Sequence, residues 1–151
     1  MQNADDEVLF SCAVCHGRLS AAVREVAPPA DAETWTPLDS LVDPCPPRMA
    51  AGTFAVDPEP GRVAWGAPPK GFGRSRAGQG PEVDLLLSPG DLVGTTKILS
   101  RWGGCCGPAA HDGPNLACAG CGAEDGLWIG DCYTWLEVVL NGRLVKAESA
   151  R

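Results

Sequence analysis

No apolar run in this sequence exceeds a few residues, far short of a bilayer span, so no membrane helix is expected. The opening Met1-Gln2-Asn3-Ala4-Asp5-Asp6-Glu7 has neither a basic segment nor an apolar stretch behind it, and so does not read as a secretory signal. Positive charge is also scarce: 12 Lys and Arg stand against 19 Asp and Glu, a net charge of −7. An acidic surface repels phosphate backbones and argues against general nucleic-acid binding. No convincing catalytic constellation emerges from the sequence.

Cysteine, proline and glycine are abundant instead. Nineteen Gly and fourteen Pro break the chain into short elements joined by turns, while 44% hydrophobic residues rule out disorder by composition. A length of 151 residues fits one domain over 1–151 with a modest core. Eight cysteines in a chain without a visible leader read as metal ligands in the reducing cytosol, where disulfides do not persist.

The patterning predicts a mainly β fold of small antiparallel sheets joined by a four-cysteine zinc site, with at most one or two short helices. Val8 to Phe10 is an apolar run entering the first cysteine pair. Leu19, Ala21 and Val23 alternate weakly. Thr53–Val56 and Arg62–Trp65 read as strands around the Asp57–Gly61 turn, and Val83–Leu87 as another, before a Ser88–Asp91 turn. Proline and glycine make 28–48 and 67–82 irregular loops. Trp135–Leu140 and Arg143–Ala147 flank Asn141-Gly142, the sequence of a type I′ hairpin; Leu136, Val138 and Leu140 would share one face.

Cys118-Ala-Gly-Cys121-Gly is the strongest chemical signal, because two intervening residues let both sulfurs face one ion. Cys12-Ala-Val-Cys15-His16-Gly repeats the spacing. Together they supply four thiolates for one tetrahedral Zn²⁺, a clamp across the long stretch between Cys15 and Cys118. Four thiolates leave such a site net negative. Cys105, Cys106, His111 and Cys132 form a possible second site; alternatively Cys106 and Cys132 complete a local site with Cys118 and Cys121, leaving Cys12 and Cys15 elsewhere. Cys45 reads as an ordinary buried thiol. Cys12-x-x-Cys15-His16 is also the attachment pattern of c-type haem, but haem attachment requires export, and only Met49 could serve as an axial methionine.

The segments Phe10–Leu19 and Leu116–Trp128 resemble the two zinc knuckles of the β-tent superfamily, which includes Yippee-type proteins and the ligand-binding domain of cereblon. The resemblance covers about two dozen residues and implies antiparallel sheets whose tops are joined by zinc on Cys12, Cys15, Cys118 and Cys121. It also implies a ligand-lining aromatic near Trp128. The Gly-Gly-Cys-Cys-Gly block lies outside that pattern; with Asp112–Leu116 it is similar to uncharacterised actinobacterial zinc-knuckle proteins, which implies a bacterial source and no activity.

The expected function is therefore a non-enzymatic module, monomeric or weakly dimeric, that binds an unknown small molecule or protein. Five tryptophans, Trp35, Trp65, Trp102, Trp128 and Trp135, can fill a core or line a groove. The enzymatic alternative uses Cys105 or Cys106 with His111 and Cys132, as a reactive thiol or as a zinc site with an open position. Lys70-Gly-Phe72-Gly-Arg74-Ser-Arg76 could touch single-stranded RNA but reads first as a solvated loop.

Overall fold

The chain is described from a computed structural model that covers residues 6–29, 47–59, 63, 65, 83–103, 108, 113–130 and 135–150. Strands and short turns dominate, as the composition requires. The described strands are β1 (Glu7–Cys12), β2 (Val23–Glu25), β3 (Thr53–Val56), β4 (Asp84–Leu87), β5 (Thr95–Lys97), β6 (Leu116–Cys118), β7 (Gly126–Ile129), β8 (Glu137–Asn141) and β9 (Val145–Ser149). Two single-turn 3₁₀ helices, Pro89–Asp91 and Leu99–Arg101, complete the regular structure among the described residues.

The mainly β expectation is met, with one difference in arrangement. The described strands share a single curled sheet in the order β5-β6-β7-β8-β4-β3-β2-β1-β9. Every pairing is antiparallel except β2 with β3. A parallel pair needs a long crossover, and the proline-rich connection from 26 to 52 provides it.

Alternation along the strands builds the core. Val8, Phe10 and Cys12 of β1, Phe54 of β3, Leu85 and Leu87 of β4, and Val138 and Leu140 of β8 turn to one side. Leu116 and Cys118 of β6 and Val145 of β9 join them, so strands far apart in sheet order converge on one interior. The Phe10 and Phe54 rings meet edge to face at 4.9 Å. Ala55, Leu86, Leu127 and Val139 lie on the opposite face with Met49.

The curl is closed by the stretch after β4. Ala21 N–H donates to Asp91 O (2.8 Å) and Val93 N–H to Leu19 O (2.9 Å), while Ala119 N–H donates to Gly94 O (2.8 Å). Residues 91–94 thus tie the chain following β1 to the turn following β6. Gly94 has φ +67°, and a Cβ there would sit 2.1 Å from Arg18 O, so the tie requires glycine.

The hairpin expected at Asn141-Gly142 does not form: β8 lies between β7 and β4, whereas β9 pairs with β1. Neither Asn141, Gly142 nor Arg143 has a positive φ, so the type I′ geometry is absent. Leu144 N–H donates to Asn141 O (2.9 Å), and Arg143 N–H to Asn141 Oδ1 (3.1 Å). Such an unprimed turn splays the strands it joins and sends β9 across the interior. Gly142 is needed for a close approach instead, since a Cβ would meet Val83 O at 2.4 Å.

β3 has the bounds expected of it, Thr53–Val56. Its neighbours are β2 and β4, not a strand at 62–65. Of the latter residues only Val63 and Trp65 are described; Trp65 donates its Nε1–H to buried Asp84 at 2.7 Å. No strand signal marks β5, β6 and β7 in the sequence, because segments of three or four residues are too short to show alternation.

Candidate metal centre

Each of the two C-x-x-C segments begins where a strand ends. Cys12 closes β1 and Cys118 closes β6, and both side chains are buried in the main core. The chain then turns back tightly, placing Cys15 and Cys121 on the surface.

The two turns are built alike. Cys12 N–H donates to Gly17 O (2.7 Å) and His16 N–H to Cys12 O (2.8 Å); Cys118 N–H donates to Ala123 O (2.8 Å) and Gly122 N–H to Cys118 O (2.8 Å). The fifth residue of each turn is left-handed: Gly122 at φ 80° and His16 at φ 68°. Glycine adopts this conformation freely and histidine does so at a cost. In the first turn glycine comes one residue later, at Gly17, so the strained position falls on His16. Gly17 serves closeness, as a Cβ there would lie 3.3 Å from Cys15 Sγ. Gly120 does the same from the other turn, with a Cβ placed 3.0 Å from the same sulfur.

Backbone amides point at the sulfurs. Val14 N–H reaches Cys12 Sγ and Gly17 N–H reaches Cys15 Sγ, each at 3.4 Å. Cys118 Sγ is approached by the amides of Cys121 and Gly120, and Cys121 Sγ by that of Ala123. Such donors stabilise the thiolate form.

The four sulfurs all lie within 4.8 Å of one another. Cys12 Sγ is 3.6 Å from Cys121 Sγ, and Cys15 Sγ is 3.5 Å from Cys118 Sγ. A tetrahedron with metal–sulfur bonds of about 2.3 Å separates its sulfurs by about 3.8 Å, so the donor set has the size of a four-thiolate site. Burial pushes the Cys12, Cys118 and Cys121 thiols up, while the Gly17 amide and then Cys118 draw Cys15 down. Four thiolates this close would repel one another unless a cation lay among them.

Of the predicted site residues, Cys12, Cys15, Cys118 and Cys121 come together in one group that could hold a metal ion. Cys12 and Cys15 thus stand beside Cys118 and Cys121 rather than elsewhere. Cys105, Cys106, His111 and Cys132, like Cys45 and the Lys70–Arg76 stretch, lie outside the described residues. Among the described residues no helix is long and apolar enough to cross a membrane.

Two features escaped the sequence reading. Asn115 is fully buried and brackets Trp128, accepting from Trp128 N–H (2.7 Å) and donating to Trp128 O (2.9 Å). It stands in for a strand partner and holds the indole on the core, 5.9 Å from the Trp102 ring; Lys97 Nζ lies 4.9 Å from that ring. Asp125, four residues after Cys121, is fully buried with neither carboxylate oxygen hydrogen-bonded, and burial raises its pKa to about 7. An isolated Asn or Asp carries no periodic signal, so nothing in the sequence marked either.

No protein family, curated protein or solved structure matches this chain.

Proposed function

We propose that Cys12, Cys15, Cys118 and Cys121 bind one Zn²⁺ as a structural clamp, and that the chain is a β-tent-like binding module rather than an enzyme. The observation that carries this reading is the convergence of four sulfurs within 4.8 Å from two turns more than a hundred residues apart. Four thiolates fill a tetrahedral ion and leave no position for substrate, which favours structure over catalysis. All-sulfur tetrahedral sites take zinc or iron; closed four-thiolate sites of structural role favour zinc. The haem reading loses its support, because the sulfurs that would form thioethers sit against those of Cys118 and Cys121. The enzymatic alternative rests on Cys105, Cys106, His111 and Cys132, outside the described residues.

For the binding role, the support is the half-buried Trp102 and Trp128 beside Lys97, an aromatic surface with one cation at its edge. The partner we propose for it is a small molecule or a peptide, read through indole contacts.

Elemental analysis of the reduced, purified chain tests the metal. The expected result is zinc in stoichiometric amount, with one ion lost on Cys12→Ser and equally on Cys118→Ser. A colourless zinc-free protein that folds fully in a strong chelator would overturn the clamp, and the visible absorption of iron–thiolate would change the metal. Trp emission that no peptide or metabolite shifts would remove the binding role.

A further inference from the structure

The four sulfurs are unequally exposed, and this inequality follows the short contacts. Cys12 and Cys118 are buried at strand ends, whereas Cys15 and Cys121 face solvent. The short contacts cross between the two turns and join one sulfur of each kind, Cys12 to Cys121 at 3.6 Å and Cys15 to Cys118 at 3.5 Å. A small oxidant therefore reaches an exposed sulfur that has a buried sulfur from the opposite turn directly behind it. Within each turn, the backbone bonds Cys12 N–H to Gly17 O and Cys118 N–H to Ala123 O hold the two cysteines of a pair in a fixed loop. Bringing sulfurs from 3.5 Å to bonding distance, about 2.05 Å, asks for side-chain rotation across the gap rather than rebuilding of that loop.

We infer that the site is a peroxide-responsive clamp, in which oxidation forms Cys12–Cys121 and Cys15–Cys118 disulfides, releases the metal and keeps the curled sheet closed. The inference rests on the reading of these cysteines as a zinc site. In each pair the exposed thiolate attacks hydrogen peroxide, breaking the O–O bond; with one proton from solvent it becomes a sulfenic acid and one water leaves. The buried thiolate then attacks that sulfur and displaces hydroxide, which takes a second proton to form water. Each disulfide thus consumes one peroxide, and both electrons come from the sulfur pair. Once paired, the four sulfurs no longer coordinate, and the bridges span 109 and 103 residues, the same separations the metal spans. Covalent closure replaces coordinate closure.

The experiment uses the full wild-type chain. Zinc is measured first, then the protein is titrated with hydrogen peroxide while a chromophoric chelator reads metal release. Free thiols are then blocked, and disulfides among all eight cysteines are mapped by mass spectrometry. The expected result is one zinc released per chain together with both cross-turn bridges, and a near-UV circular dichroism spectrum that persists in the oxidised protein and collapses in the reduced protein stripped by chelator. Bridges within a turn, bridges to Cys45, Cys105, Cys106 or Cys132, or no oxidation at a peroxide excess would overturn the inference. So would loss of the near-UV spectrum on oxidation. A chain that holds no zinc before oxidant instead defeats the zinc reading itself, and the bridge map then decides the pairing alone.

Discussion

Among the described residues, His16 and Asp125 each occupy a costly position. His16 occupies, at φ 68°, the position that Gly122 fills in the matching turn. Left-handed backbone costs a non-glycine residue about 1–2 kcal/mol, so His16→Gly is expected to stabilise the zinc-loaded protein by about 1 kcal/mol in denaturant titration. A loss of stability would show that the imidazole makes a needed contact. Burial raises the Asp125 carboxyl from the ordinary 3.8 to about 7, so it is protonated in the folded protein below that pH. Its contribution to stability is complete below the unfolded pKa and is lost as pH rises through the folded one. Asp125→Asn removes that titration, so its advantage over wild type is expected to be larger at about pH 8 than at about pH 5.5 by about 2 kcal/mol. A pH-independent difference would mean that the carboxyl finds a partner in solution.

At the scale of elements, both cysteine turns and the β6–β7 unit depend on side chains that replace missing backbone partners. Asn115→Ala leaves Trp128 without its two side-chain bonds, and about 2 kcal/mol of stability is expected to go with them. Urea unfolding measures the loss, and Trp128 emission should shift to the red as the indole loosens. The second turn is equally constrained: at Gly120 a Cβ lies 3.0 Å from Cys15 Sγ, a sulfur of the opposite turn. Gly120→Val is therefore expected to weaken zinc binding by about tenfold or more, equal to about 1.4 kcal/mol, in competition with a chelator of known affinity. Unchanged affinity would show that the two turns can part without cost to the site.

Among the described residues, the sheet is packed at its middle, and its two ends meet at the four cysteines. β4 pairs with β8 along their length beneath the buried leucines and valines, while β1 and β6 stand near opposite ends of the strand order and meet at the cysteines. Removing metal under reducing conditions is expected to expose the amides of β1 and β6 to hydrogen exchange before those of β4 and β8. Uniform protection in the chelated protein would mean that apolar burial alone closes the curl.

The sequence by itself determined the chemistry and the class of structure. C-x-x-C spacing lets two sulfurs face one ion, because the constraint spans four residues; the alternation in β1, β3, β4 and β8 marks strands for the same local reason. Only the tertiary structure decided that Cys12 and Cys15 meet Cys118 and Cys121, that β9 leaves β8 to pair with β1, and that His16 carries the left-handed strain. Asn141-Gly142 promised a hairpin and gave a splaying turn, since a dipeptide that tolerates positive φ does not require it. Pairing partners and buried polar groups such as Asn115 and Asp125 are fixed by which surfaces exclude water together, a property of the assembled core that no short segment encodes.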